Sequence, residues 1–196
     1  MLWGVPKLGP WPYDAKRARE LLAKAGFPTG FKMVAVYSVR WAGFKEHMVA
    51  VQAMLKEVGI DVELREVAFP DLVATYLRPH PDDFDVALAV NPLRTSNFLH
   101  YHVYRMYHSS NILVPSGQRS GYGNKEVDSL LEEAGRLSDL EQRRELYQRA
   151  LRIIWEDAAF LWLLTKVDAV GVRGRIATLV YLPTEESIAA SVTVRD

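Results

Sequence analysis

From Ala18 to Val90 the hydrophobic period switches repeatedly between that of a helix and that of a strand, and this alternation constrains the fold more than anything else in the chain. Ala18, Leu21, Leu22 and Ala25 share one face of a helix that Asp14 can cap and that Gly26 and Pro28 end. Phe31 to Val39 is apolar on both faces apart from Lys32 and Ser38, as a covered parallel strand requires. Phe44, Met48, Val51, Leu55 and Val58 return at helical spacing, with Gly59 as the stop. Ile60, Val62 and Leu64 alternate with Asp61, Glu63 and Arg65, which predicts a half-exposed strand near a sheet edge. Asp71 to Arg78 reads as a short helix closed by Pro79 and Pro81. Phe84 to Val90, apolar on both sides, reads as a strand placed centrally. The order α-β-α-β-α-β predicts an α/β fold class, a mainly parallel sheet flanked by helices.

That topology has a consequence for chemistry. If the strands run parallel with right-handed crossovers, their tails all reach one edge of the sheet, the edge where open α/β sheets hold ligands. The tails read Arg40-Trp41, Ala68-Phe69 and Asn91-Pro92-Leu93-Arg94, with Asn97 close behind. An arginine offers a planar fork of donors for carboxylate or phosphate, and a tryptophan offers a stacking face. The same residues also fit a plain structural role, with Arg40 and Arg94 snorkelling at strand ends and Trp41 filling the rim of the core. Topology by itself leaves both open.

The second half is more helical. Asn97 to Asn111 is aromatic and histidine-rich and reads as helical at its start, Pro115 to Asn124 as a loop, and Lys125 to Leu137 as a helix. Ser138 with Glu141 makes a capping box for a longer helix running to about Asp157, with Leu140, Tyr147, Leu151 and Ile154 as its buried stripe. Phe160 to Leu164 is expected as a strand and Val167 to Val172 as an antiparallel neighbour. Gly174 to Asp196 has no clear period, and its pieces Thr178 to Leu182 and Ser191 to Val194 read as strands made to pair with something else. The predicted organisation is therefore an extended lead-in over residues 1–13, rich in proline, an α/β lobe over 14–173, and a C-terminal tail over 174–196.

Composition excludes several classes of function. Acidic and basic residues balance at 24 each, so no net field recruits nucleic acid or anionic lipid. There is no cysteine, which removes disulfides, thiolate catalysis and cysteine-bound zinc. No run reaches the roughly 18 to 20 apolar residues that span a bilayer. Met1 to Pro6 has no basic segment followed by an apolar one, so the export signal of any exported parent is expected to lie outside this chain.

Enzymatic motifs are also missing. His100 and His102 lie two apart and His108 close by, but a helix sends residues two apart to different faces, and no metal-ligand spacing is present, so structural or solvent-facing histidines are expected. The carboxylate pairs Glu132-Glu133, Glu156-Asp157 and Glu185-Glu186 are sequence neighbours, which diverge by about 100° on a helix and make no acid/base dyad. Ser109-Ser110 and Ser116-Gly117 lack the Gly-x-Ser-x-Gly context of a nucleophile elbow. Ser120-Gly121-Tyr122-Gly123-Asn124 lacks the phosphate-loop lysine and reads as a tight turn with Asn124 as a helix cap. The expectation is a protein that grips a solute without converting it, needing no cofactor or metal.

Trp11-Pro12-Tyr13-Asp14 leading into Ala18-Arg19-Glu20-Leu21-Leu22-Ala23-Lys24-Ala25-Gly26-Phe27 resembles the start of the C-terminal lobe of family 5 extracellular solute-binding proteins. The helix-then-strand segment from Val51 to Leu64, the strand Phe84-Asp85-Val86-Ala87-Leu88 and the tail Asn97-Phe98-Leu99 are similar to family segments in the same order. So are Tyr107 to Asn111, Gly121 to Asp128 and Arg143 to Ala150. The resemblance implies a type II periplasmic-binding-protein fold whose two lobes close by a hinge around a solute and present it to an ABC permease in the membrane. It implies an extracytoplasmic parent, a further N-terminal lobe as partner, and no nucleic-acid partner. A lobe of this kind also occurs fused to DNA-binding domains, so a sensor lobe of a cytoplasmic regulator is the alternative.

Peptide-binding members carry a tryptophan and acidic residues between the strand and the tail, and their acid takes the peptide's amino terminus. Here Asn91-Pro92-Leu93-Arg94-Thr95-Ser96 is shorter and has no acid. A buried arginine there favours an anionic or hydroxyl-rich solute. Carried over by position, Asn91, Arg94, Thr95 and Asn97 are the expected ligand-binding loop, with Arg40 and Trp41 beside it.

Overall fold

The structure, a computed structural model, describes residues 7–38, 43–76, 86–88, 99–112, 121–161, 163, 171–181 and 187–194. They group into two compact units. One holds the described residues between 8 and 88, and the other holds those from 99 onward together with Lys7.

The first unit begins with helix α1, Ala15–Lys24, capped as expected by the Asp14 carboxylate, which accepts the Arg17 N–H at 2.8 Å. The helix ends in a paired reversal, with the Gly26 N–H donating to the Ala23 carbonyl and the Phe27 N–H to that of Leu22. Strand β1, Phe31–Tyr37, helix α2, Phe44–Glu57, strand β2, Ile60–Glu66, helix α3, Phe69–Tyr76, and strand β3, Val86–Leu88, follow in turn.

The three strands form one sheet in the order β2-β1-β3, and both pairings are parallel. Among the described strands β2 lies at an edge, as its alternating burial predicts, with Ile60 and Val62 buried and Asp61 and Glu63 exposed. Among the described strands β1 takes the middle place, with β2 on one side and β3 on the other.

One close backbone approach starts the β1–β2 ladder. Gly30 and Gly59 immediately precede the first partnered residues, Phe31 and Ile60, and a Cβ placed on Gly30 would lie 1.9 Å from the Gly59 carbonyl oxygen. Both glycines have positive φ, +77° and +92°, so the parallel pair can begin only where neither residue has a side chain.

Ala35, Ile60 and Val62 form a buried cluster against Leu22, Met33, Leu55, Val58 and Leu64. A second cluster joins Tyr37, Phe44 and Met48 to Val51 and Leu64, so α2 packs through the stripe its periodicity marks. On α1 the expected stripe is only half realised. Leu22 reaches the sheet cluster, but Leu21 is half exposed and Ala25 exposed, and no residue of this helix is fully buried. The described residues supply too little surface to cover its whole apolar face.

The second unit packs helices α4, Leu99–Tyr107, α5, Lys125–Arg136, and α6, Leu140–Glu156, around a core. That core comprises Val103, Met106, Tyr107, Val127, Leu130, Leu131, Ala134, Leu146, Tyr147, Ala150 and Ile154. A single 3₁₀ turn, Ser109–Asn111, follows α4. Asn124 caps α5 as expected, its side-chain oxygen accepting the Glu126 and Val127 N–H groups.

The α6 cap corrects the sequence reading. Asp139, not Ser138, accepts the Gln142 N–H, at 2.8 Å. An Asp-x-x-Gln frame overlaps the Ser-x-x-Glu frame one residue earlier, and the carboxylate is the stronger acceptor, so the helix starts one residue later. Leu140 then falls on the first turn and is largely exposed, while Leu146 and Ala150 are buried beside Tyr147 and Ile154.

α6 ends in the same reversal as α1, but with Ala158 at φ +49° in the place glycine usually takes. Phe160, Leu161 and Leu163, expected in a strand, belong to none. Phe160 instead packs edge-on against Tyr107 with ring centroids 5.4 Å apart, and Leu161 and Leu163 are exposed. Strands β4, Ile176–Tyr181, and β5, Ser187–Val194, pair with each other in an antiparallel ribbon with two irregularities in register. Among the described residues the two tail strands pair with one another.

Candidate functional site

Parallel pairing in register brings the C-terminal ends of all three strands level. Tyr37 is the partner of both Glu66 and Leu88, so the three strands end at the same edge of the sheet. The Val67 N–H donates to the Tyr37 carbonyl at 2.9 Å and carries the ladder one step beyond the strands. The parallel strands thus share one C-terminal edge, as their order predicted. The expected ligand-binding residues, Arg40, Trp41, Asn91, Arg94, Thr95 and Asn97, lie outside the described residues.

Three side chains that sequence reasoning did not single out meet at this edge. The phenol of Tyr37, a residue only 3% exposed, donates to Glu66 Oε2 at 3.3 Å. Lys45, in the first turn of α2, donates to the same oxygen at 3.1 Å. Phe44 packs edge-on against the Tyr37 ring, with centroids 6.3 Å apart. Burial and the adjacent Glu66 carboxylate both raise the Tyr37 pKa above the usual phenol value, and the hydrogen bond to Glu66 raises that of Lys45. The signal for this trio was present in the sequence as the last residue of each of two strands and the first turn of the helix between them. What was missing was the register that sets Tyr37 beside Glu66.

The second unit holds the histidines. His108 is buried, and its Nδ1 accepts the Ser110 N–H at 3.1 Å, which caps the 3₁₀ turn. Its Nε2 faces Glu132 Oε1 at 3.4 Å, and Tyr104 stacks on its ring at 4.1 Å. Asp128 accepts both the N–H and the hydroxyl of Ser109. This network ties α4 to α5 with every polar atom of the His108 ring engaged. His100 sits against Tyr104 and Tyr147, and burial, with the Arg143 guanidinium second, pushes its pKa below the usual imidazole value. Among the described residues no group of three or more histidine and carboxylate side chains is placed to hold a metal ion. Tyr122 and Asn124 both donate to Asp157 Oδ2, at 2.7 and 2.9 Å, and clip the loop before α5 to the end of α6.

A parallel sheet with helical crossovers fits the α/β architecture of type II periplasmic binding proteins, and known proteins of that fold are similar to this chain. Residues 2–112 match the family described as bacterial extracellular solute-binding proteins, family 5 Middle. Over 158 residues the chain is 27% identical to the glutathione-binding protein GsiB of Escherichia coli O6:K15:H31, covering 80% of this chain and 31% of that protein. The structure of the periplasmic binding protein DppA from Helicobacter pylori, in complex with the peptide STSA, superposes with a TM-score of 0.67 at 30% identity, over 83% of this chain and 31% of that one. HbpA2 from Haemophilus parasuis superposes with a TM-score of 0.82 over 98% of this chain and 38% of its own, and at 18% identity it speaks for the fold alone. The fold is the α/β type II periplasmic-binding-protein fold. The chain belongs to the family 5 bacterial extracellular solute-binding proteins and spans about a third of the length of the relatives it matches.

Proposed function

We propose that this chain forms a solute-contacting lobe of an extracytoplasmic binding protein, which captures a polar small solute and hands it to an ABC permease. The observation that carries this reading is the level arrival of three parallel strand ends at one edge of the sheet in a member of this family. Ligands of open α/β sheets bind outside such an edge because the strand ends and helix starts converge there with unpaired backbone groups and variable side chains. Residues 14–173 act as the lobe in this reading, and residues 174–196 return to a second lobe. Closure of the two signals that the site is filled. The protein's work is capture without catalysis.

Arg40, Trp41, Asn91, Arg94, Thr95 and Asn97 are the proposed ligand-contacting residues. With Arg40 and Arg94 among them, an anionic group on a peptide-like, opine-like or sugar-like solute is the favoured recognition element. Thermal-shift screening of the full-length protein, with both lobes present, against amino acids, peptides, opines and saccharides tests the reading, followed by titration of the best solute into its Arg94→Ala variant. Stabilisation by at least one solute is expected, with affinity falling by about tenfold or more in the variant, the scale of one lost charge-assisted hydrogen bond. Failure of every solute to stabilise the full-length protein overturns capture, and unchanged affinity in Arg94→Ala overturns the assignment of that residue.

A further inference from the structure

We infer that Lys45 and Glu66 are the specificity pair of the proposed capture site and that together they read the zwitterionic head group of an α-amino acid. This rests on the capture reading and deepens it. The segment from Asn91 to Ser96 contains no acid, so it offers no negative charge to a cationic group on a solute. The register places an acid from another strand at this edge of the sheet, since Glu66 ends β2 beside Tyr37.

Three observations make this pair more than a surface ion bridge. First, it can open. Both partners keep contact with water, with the Lys45 side chain 60% and that of Glu66 42% exposed, and exposed pairs hold together weakly. Second, Glu66 stays in place when Lys45 leaves, because the Tyr37 phenol is itself fixed in the core by Phe44 and Met48 and holds the carboxylate from below. Third, both hydrogen bonds land on Oε2. Among the described residues Oε1 accepts none, so it remains available to an ammonium group.

A closed pair with nitrogen and oxygen 3.1 Å apart matches a ligand whose opposite charges also sit side by side. In an α-amino acid the ammonium and the carboxylate are attached to the same carbon. Such a head group inserts between the partners, its ammonium on Glu66 and its carboxylate on Lys45, and replaces one ion pair by two. A lone anion gains Lys45 but leaves Glu66 without its cation, and a lone cation does the reverse. Discrimination therefore comes from the penalty for half-occupancy as much as from the contacts made. Glu46, also in the first turn of α2, adds negative charge near Lys45 and weights the site further against simple anions.

The test is a titration of the isotopically labelled chain followed by nuclear magnetic resonance, which reads the millimolar affinities that an isolated lobe is expected to show. The probes are L-leucine, N-acetyl-L-leucine, L-leucinamide and maltose. L-Leucine is expected to shift the backbone amides of Gly43, Phe44, Lys45 and Glu66 saturably. Blocking either the amine or the carboxylate should weaken this at least about tenfold, and maltose should leave these amides unmoved. Glu66→Gln, which keeps the side-chain shape and an acceptor for Tyr37, should abolish the preference for L-leucine over N-acetyl-L-leucine. Lys45→Met should abolish the preference over L-leucinamide.

Equal responses to the three leucine derivatives overturn the inference. So do leucine-induced shifts that bypass residues 43–45 and 66, or discrimination that survives Glu66→Gln. If L-leucine fails while another solute stabilises the full-length protein in the thermal screen, the pair is wrongly assigned and capture stands. If no solute stabilises it, both fall together.

Discussion

Gly30 faces the carbonyl of Gly59 with no room for a methyl group, and the consequence is local to that contact. Gly30→Ala adds a Cβ inside the van der Waals radius of a backbone oxygen, at a φ that L-residues avoid, and neither strand can retreat without breaking its ladder. A loss of at least about 3 kcal/mol of stability is expected by chemical denaturation, at the upper end for a single substitution. Gly26 has positive φ as well but open space around it, so Gly26→Ala should cost only about 1 kcal/mol, the backbone penalty alone. His100 makes a prediction of a different kind. Its depressed pKa means that the folded chain holds the neutral imidazole while the unfolded chain takes up a proton near pH 6.5. The unfolded state thus binds more protons below that pH, and stability falls as pH drops below about 6.5. His100→Asn should flatten this part of the profile in thermal melts followed between pH 5 and 8, and an unchanged slope would remove His100 as the cause.

At the level of elements, helix ends decided where sequence expectation and structure parted. Asp14, Asn124 and the Gly26 reversal act as their residue types predict, because each is the only strong cap in its neighbourhood. At α6 two overlapping capping frames compete, and the carboxylate of Asp139 prevails over the hydroxyl of Ser138. Asp139→Ala is expected to lower the stability of the α4–α6 unit by about 1 kcal/mol, and Ser138→Ala to leave it within experimental error. Equal effects of the two would reverse the assignment. Leu140 shares a helix face with Tyr147 and Ile154 but is the first residue of α6, and at that end of the helix it is largely exposed. Pairing of β4 with β5 shows a similar limit. Strand propensity is legible in a sequence, but a partner is a fact of tertiary structure.

Across the whole molecule the exposed apolar residues set the expected behaviour of the isolated chain. Trp11, Leu21 and Phe27 in one unit and Leu161, Leu163 and Val172 in the other are all at least 44% exposed, each a large apolar side chain in contact with water. In a chain that spans about a third of its relatives' length, surface covered in a longer protein is the physical explanation we favour. Concentration-dependent self-association is therefore expected in size-exclusion chromatography with light scattering. A monomer that stays compact and non-associating at high concentration would contradict it.

The order of helices and strands from Ala15 to Leu88 and the parallel sheet they form were legible in the sequence alone. They follow from hydrophobic period and the handedness of crossovers, and both are local properties of the chain. What the tertiary structure decided was adjacency: Glu66 beside Tyr37 and Lys45, His108 between Ser110 and Glu132, one glycine against another at the start of a ladder. Residues 29, 21 and 24 positions apart met because strand register and helix packing brought them together, and register depends on side-chain burial summed over whole elements. No single residue's chemistry carries that information, so a sequence shows which groups are available for a site and only the folded chain shows which of them touch.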